Sequence, residues 1–256
     1  MLEIALTLLI AGSAQAPARP DTGRVAVRFP EGTAHGFLVM HAADGREIAR
    51  GDLVQRGTSS GVESVLAFDF HDGSRFEETV DYSQDHGLAM QRYHLIQRGA
   101  AFDRDLDATI WRSGRYQVRA TSHDDGKVSN YTGSLDLPGD VANGLPLMIA
   151  KNLRPDETRD VHVVAFLPKP RVIGLEFIPS EPARVKSASL ESTAHYTLKP
   201  KVGGITGVLA KLLGKIPPDS HIWIATSGAP AFLRFEGPMY SGPVWRIDLA
   251  TPTWVH

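Results

Sequence analysis

The residues Gly57-Thr58-Ser59-Ser60-Gly61 match the pattern Gly-x-Ser-x-Gly, in which many hydrolases carry a nucleophilic serine. That chemistry needs a strand before the motif, a strained turn at the serine and a helix after it. Here a second strand-like stretch follows the motif, and threonine, serine and glycine are ordinary loop residues. The context therefore favours a turn between two strands over a hydrolase site.

Histidines close to carboxylates are a second source of chemistry. Of the ten histidines, His41, His71 and His123 each stand just before an Asp-Gly turn. A histidine beside a carboxylate can bind a metal ion or transfer protons. However, no ligand spacing of the type His-Glu-x-x-His is present, and His94 and His162 lie within strand-like runs. The sequence therefore predicts no metal site, no cofactor and no catalytic residue, and we do not expect an enzyme.

Carboxylates also recur at short spacing in two stretches, which contain Glu77, Glu78 and Asp81 in one and Asp103, Asp105 and Asp107 in the other. A glycosidase needs two carboxylates on opposite sides of a cleft, and a single strand cannot supply that arrangement. The simpler interpretation is a solvated or salt-bridged outer face of a sheet.

The elements that would position these residues are mostly strands. The stretch 62–70 alternates, with Val62, Leu66, Phe68 and Phe70 on one face and smaller or charged side chains on the other. Alternation of this kind is typical of a strand with one buried face. The stretch 115–121 shows the same pattern, with Tyr116 on its apolar face.

Asp-Gly pairs at 44–45, 72–73 and 125–126 separate such stretches, and this pair is a strong hairpin signal. The first half is therefore predicted to be an antiparallel meander. We predict strands at 24–29, 35–41, 46–56, 62–70, 74–82, 87–97, 104–112, 115–122 and 127–137, and further strands at 160–167, 171–178, 183–198, 220–226, 231–236 and 244–249.

Two segments have the pattern of short helices. The first is 141–153, with Asp140 as a candidate N-cap and Pro146 interrupting its middle. The second is 205–216, in which apolar residues recur at helical spacing and Pro217 ends the pattern. This second helix could plug a curved sheet, act as a lid over a cavity or contact a membrane surface.

Composition and the N-terminus bear on location. Residues 1–16 have the layout of a cleaved export signal, although the stretch before the apolar core lacks lysine and arginine, which leaves open an upstream start or an uncleaved anchor. No later stretch is long enough to span a membrane. The chain has no cysteine, and its formal net charge of -2 argues against binding nucleic acid. We expect a bacterial envelope protein, in the periplasm or outside the cell.

The successive strand patterns at 62–70, 75–82, 116–121 and 131–137, the apolar segment 144–149 and the returning strand at 161–167 resemble the layout of the LolA/LolB-like periplasmic half-barrel group. The resemblance implies a curved sheet that encloses an apolar cavity for acyl chains, with helices as a lid. No residue of that group can be matched position by position. The chain also lacks the cysteine of a lipid-anchored member.

We therefore predict a mainly β protein: a large curved antiparallel sheet, or incomplete β-barrel, with one or two short helices on the concave face. Residues 17–256 would form a single β-rich domain. Its predicted function is to bind an apolar or amphipathic ligand, such as a lipid, in the half-barrel cavity. A structural or assembly module of the envelope is the alternative, and a hydrolase with dispersed His and Asp residues is the third hypothesis. The candidate ligand-binding residues are Phe68, Phe70, Tyr116, Leu147, Met148, Phe166, Leu209, Leu212 and Trp223.

Overall fold

The computed structural model describes residues 23–181, 193–201, 218–240 and 242–250. The predicted export signal at 1–16 and the predicted helix at 205–216 lie outside the described residues, and so do Leu209 and Leu212. Within the described ranges the protein is mainly β, as the sequence predicts, with fourteen strands in one open antiparallel sheet and one short helix.

Except at 24–29 and 183–198, the strands follow the predicted stretches closely. Residues 183–192 of the predicted strand at 183–198 lie outside the described residues. In chain order they are β1 (Ala34–His41), β2 (Glu47–Thr58), β3 (Gly61–Phe70), β4 (Arg75–Ser83), β5 (Ala89–Arg98), β6 (Arg104–Trp111), β7 (Arg115–Ser122), β8 (Val128–Ser134), β9 (Arg159–Ala165), β10 (Arg171–Ser180), β11 (Thr193–Lys201), β12 (Ser220–Ala225), β13 (Ala231–Gly237) and β14 (Trp245–Leu249). The helix α1 (Pro146–Asn152) lies between β8 and β9.

Each strand pairs with its neighbour in the chain, from β1 to β8 and again from β9 to β14. β1 also pairs with β14, which joins the two halves, with Met40 opposite Ile247. The order across the sheet is therefore β8 to β1 followed by β14 to β9. β8 and β9, although consecutive in the chain, are the two edges of an incomplete barrel. The predicted Asp-Gly turns form the β1–β2, β3–β4 and β7–β8 connections, and their glycines have positive φ.

The chain between β8 and α1 covers the edge of β9. Val141 forms a parallel bridge with His162, and the Ala142 amide donates to the His162 carbonyl at 2.8 Å. The Asn143 side chain binds the next residue along this edge: its Oδ1 accepts from the Val164 amide at 2.7 Å, and its Nδ2 donates to the Val164 carbonyl at 3.0 Å. Unpaired strand edges attract other chains, so this connector protects β9.

The predicted helix at 141–153 is shorter than expected, because its first residues bind the edge of β9. α1 begins at Pro146, where the missing proline N–H has no helical partner to lose. Pro146 therefore starts the helix and does not interrupt it. Asp140 is not its cap: the Asp140 carboxylate contacts His162 Nδ1 at 2.8 Å.

The predicted strand at 24–29 is wrong, since these residues have no regular secondary structure. Two of their backbone donors are bound by a side chain of α1: Asn152 Oδ1 accepts from the amides of Arg28 at 2.7 Å and Phe29 at 2.8 Å. Lys151 of α1 forms an ion pair with Glu31 in the same segment. The segment is therefore attached to the helix and not added to the sheet.

The core fills the concave side of the sheet and includes α1, whose Met148, Ile149 and Ala150 are buried. Packing is close where the Phe68 ring lies on the backbone of Gly51. A Cβ at position 51 would meet Phe68 Cδ1 at 2.5 Å and the Ala67 carbonyl oxygen at 2.2 Å, so only glycine fits there.

Candidate ligand-binding site

The structure brings most of the described candidate residues to the concave side. Phe68, Phe70, Met148 and Phe166 are buried in the main apolar core. Tyr116 and Leu147 are partly buried and pack against that core. The four buried side chains are therefore part of the structural core. They can contact a ligand only where a cavity or cleft reaches the core.

Trp223 lies apart from these residues. Its neighbours Ile222 and Ile224 belong to the main core, whereas Trp223 packs with Leu233 in a separate small cluster. The Trp223 ring stacks on His195, with centroids 4.4 Å apart and planes 8° from parallel. Trp223 therefore belongs to the outer face of the sheet.

The same outer cluster contains a pair of histidines. His195 Nε2 lies 3.1 Å from His221 Nδ1, and His195 Nδ1 contacts the Glu181 carbonyl oxygen at 2.8 Å. Burial is the main cause that lowers the pKa of His195, and the neighbouring His221 lowers it further. The two rings are close enough to share a hydrogen bond.

The middle of the concave face carries a row that is not fully covered. Leu53 on β2 pairs with Leu66 on β3, and Leu66 pairs with Glu78 on β4. Paired residues of antiparallel strands point to the same face. All three face inward, yet each is only partly buried, unlike Leu95, which follows Glu78 in the row and has no exposed surface. We call Leu53, Leu66 and Glu78 the concave row.

Glu78 is the polar member of the concave row. The Tyr93 hydroxyl on β5 donates to Glu78 Oε2 at 2.8 Å. Burial raises the pKa of the Glu78 carboxyl, and the hydrogen bond from Tyr93 offsets only part of that rise. The Tyr93 ring stacks on Phe166, with centroids 6.1 Å apart and planes 9° from parallel, which fixes the position of the hydroxyl.

The expectation that the carboxylates of β4 lie on an outer face is wrong for Glu78. Glu77 does lie outside and pairs with Arg75 at 2.7 Å. Glu78, however, is separated from Phe76, Val80 and Tyr82 by an even number of positions, so it points to the same face of β4 as these buried side chains. This alternation is the sequence signal that identifies an inward-facing carboxyl group.

Six of the other described histidines lie within salt-bridge distance of a carboxylate. The four shortest N–O distances are 2.6 Å for His35–Asp52, 2.8 Å for His162–Asp140, 2.9 Å for His123–Asp105 and 3.0 Å for His94–Asp107. The hydrogen bond to Asp105 is the main cause that raises the pKa of His123. In the described ranges no three His, Asp or Glu residues form a group that could hold a metal ion.

The Gly-x-Ser-x-Gly match forms the turn between β2 and β3, as its context predicts. Ser59 and Ser60 are exposed, and the Ser60 hydroxyl contacts only Thr58, at 3.5 Å between oxygens, among the described residues. No described histidine bonds to either serine, so this part of the chain lacks the base that a serine nucleophile requires.

A shallow cleft of about 460 Å³ lies at one end of the sheet, beside the β1–β2 and β3–β4 turns. It is lined by Ala42, Arg46, Ile48, Phe70, His71, Asp72, Ala101, Pro243 and Trp245. Phe70 and Trp245 form its floor, with ring centroids 5.3 Å apart. The cleft places Phe70 beside open space, at the end of the sheet and away from the concave row.

Together these features define a class: a mainly β protein with an open antiparallel sheet whose concave face carries apolar side chains and one carboxyl group. Comparison with protein-family models, with curated proteins and with solved structures found no match. The resemblance to the LolA/LolB-like group therefore stays a prediction. Within the described chain, no helix is long and apolar enough to cross a membrane.

Glu78→Gln is expected to raise the free energy of unfolding at pH 8. The folded protein keeps the Glu78 proton to a higher pH than the unfolded chain, because the folded pKa is raised above 4.5. Stability is therefore lost as the pH rises from 4.5 through the folded pKa, by about 1.4 kcal/mol for each unit of difference. Glutamine avoids this loss and still accepts the Tyr93 hydrogen bond.

Urea unfolding of both proteins between pH 3.5 and pH 8 measures this effect. The difference in free energy of unfolding between the variant and the original protein should shrink toward zero below pH 4.5, where Glu78 is protonated in both the folded and the unfolded chain. A difference that does not change with pH would show that Glu78 has the same pKa in both states.

Proposed function

We propose that this chain is an exported protein of the bacterial envelope that binds an apolar or amphipathic ligand, such as a lipid, against the concave face of its sheet. The observation that carries the proposal is the concave row. Leu53 and Leu66 are inward-facing leucines in the middle of a sheet, where complete burial is the rule, yet both retain accessible surface. Apolar surface on a concave face is typical of a ligand-binding site.

The composition of the concave side supports an amphipathic ligand over a purely apolar one. The leucines offer contact to a chain or ring, while Glu78 and Tyr93 offer polar atoms at one end of the same row. Sites for small molecules commonly combine an apolar lining with a few polar groups that fix orientation.

Native mass spectrometry of the protein purified from an envelope fraction, followed by organic extraction, tests the proposal. We expect a bound amphiphile that extraction releases. Protein freed of this material should then bind a fluorescent apolar probe, N-phenyl-1-naphthylamine.

Leu66→Trp fills the concave row and should weaken binding of the probe by about tenfold or more, equal to about 1.4 kcal/mol. Val65→Trp is the matched control, since Val65 is the adjacent residue on β3 and points to the outer face. Circular dichroism would verify that both variants fold. An apo mass together with no probe binding would overturn the proposal.

The second candidate is an assembly module of the envelope, and the edge strand β8 favours it. In the described part of the chain β8 pairs only with β7, and Val128 at its start is 45% exposed. Free edges of this kind pair with strands of other chains. A clean apo mass with a stable dimer or a captured envelope partner would favour this candidate.

A further inference from the structure

Glu78 has an acceptor that none of the described residues uses. Oε2 accepts from the Tyr93 hydroxyl, and no described residue bonds to Oε1. Glu78 is only partly buried as a residue, and Oε1 is not among the fully buried, unpartnered side-chain atoms of the described chain. Oε1 is therefore available to a molecule that lies along the concave row.

The surroundings of this carboxyl are apolar. Leu66 and Leu95 flank it on the neighbouring strands, and Phe76 and Val80 precede and follow it on the same face of β4. No described lysine, arginine or histidine pairs with it. A carboxylate in such a place is costly unless a cation accompanies it, and burial accordingly raises its pKa.

Tyr93 adds a second acceptor beside the first. Its hydroxyl hydrogen is directed to Glu78 Oε2, so its oxygen lone pairs remain able to accept. Glu78 Oε1 and the Tyr93 oxygen thus offer two acceptors at one end of an apolar row. An ammonium group has three donors and a positive charge, and it matches both features.

We propose that the ligand of the concave site is a cationic amphiphile, whose protonated amine binds Glu78 and Tyr93 while its apolar part lies along Leu66 and Leu53. This inference rests on the proposed function, and it specifies the class of ligand. An anionic head would meet the Glu78 carboxylate, and a hydroxyl head would leave its charge uncompensated.

Binding of three amphiphiles with the same twelve-carbon chain tests the inference: dodecylamine, dodecanol and dodecanoate. Each is titrated at pH 7.5, below its solubility limit and, for the two charged amphiphiles, below the micelle concentration, into the full chain freed of bound material, and displacement of N-phenyl-1-naphthylamine is measured. We expect dodecylamine to bind about tenfold more tightly than either of the others, as charge-assisted hydrogen bonds are the stronger ones.

Glu78→Gln should remove this preference, so that dodecylamine and dodecanol bind the variant about equally tightly. Glu77→Gln is the matched control, because it removes the same charge from the adjacent residue on the outer face of β4. Tyr93→Phe should weaken dodecylamine binding, since it removes one of the two acceptors.

The outcomes separate the two proposals. If none of the amphiphiles displaces the probe, the proposed function itself fails. If they bind but dodecanol or dodecanoate equals dodecylamine, the inference is overturned and the binding function stands. Equal loss of amine binding in Glu77→Gln and Glu78→Gln would also overturn it, because the effect would then come from net charge alone.

Discussion

Replacing Asn152 with alanine is expected to lower the free energy of unfolding by about 3 kcal/mol, because it removes three hydrogen bonds of a buried side chain, each worth about 1 kcal/mol. Asn152 is 2% exposed, and its Oδ1 accepts from the amides of Arg28 and Phe29. Its Nδ2 donates to the Met148 carbonyl at 2.8 Å. Alanine leaves both amides without their acceptor and releases the segment before β1 from the helix.

Urea unfolding followed by circular dichroism measures the change. Asn152→Asp keeps both acceptor bonds but sets a carboxylate against the Met148 carbonyl, so we expect an intermediate loss of stability. Asn130→Ala is the control, since Asn130 is exposed on β8, and surface changes of this kind stay within about 0.5 kcal/mol. A loss for Asn152→Ala no larger than that of the control would show that the segment at 23–33 is held by other contacts.

Asn152 also shows which part of the fold local sequence could not reveal. The residues at 24–29 alternate in polarity like a strand, and the pattern is real. Two of their backbone amides, those of Arg28 and Phe29, bind a side chain 124 and 123 positions away in the chain, and no local pattern encodes that partner. The strand propensity of residues 24–29 was therefore overridden by hydrogen bonds to a distant side chain.

The strands themselves could be predicted because their signals are local. In β3 the face expected to be buried is the face that packs inward: Val62, Phe68 and Phe70 are in the core, and Leu66 packs against it. The Asp-Gly turns fix where neighbouring strands reverse, since their glycines adopt the positive φ that such turns require. Alternation and turn chemistry together define a meander, and the meander is the larger part of this fold.

The pairing of β1 with β14 had no such signal. The two strands are joined by hydrogen bonds between Leu38–His41 and Arg246–Leu249, at opposite ends of the chain. Nothing in either strand marks its partner, because antiparallel pairing uses backbone groups that every residue has. The sequence therefore supported a curved sheet but not the positions of its edges.

The candidate site was only partly predictable from the sequence, because the local pattern does not assign every side chain to a face of the sheet. Ile222, Trp223 and Ile224 are all apolar, so their sequence has no alternation from which to assign a face. Trp223 is on the outer face as a result of the β12 register, opposite His195. At Glu78 the alternation was present, but a carboxylate among buried neighbours runs against the usual preference of charged residues for solvent.

Replacing Asn143 with alanine is expected to lower the free energy of unfolding by about 2–4 kcal/mol, by leaving the buried amide and carbonyl of one residue unsatisfied. Both groups belong to Val164, which is 1% exposed and lies on the edge strand β9. Asn143 binds them as a further strand would, so its loss also uncovers the edge of the sheet. We therefore expect the variant to self-associate as well as to unfold more easily.

Urea unfolding measures the first effect, and light scattering at rising protein concentration measures the second. Thr132→Ala is the control, because it removes an exposed polar side chain from β8, the opposite edge, which the connector does not cover in the described chain. That variant should behave like the original protein in both assays. If Asn143→Ala loses stability but stays monomeric, the backbone contacts of Val141 and Ala142 are sufficient to protect β9, and the role of Asn143 is confined to stability.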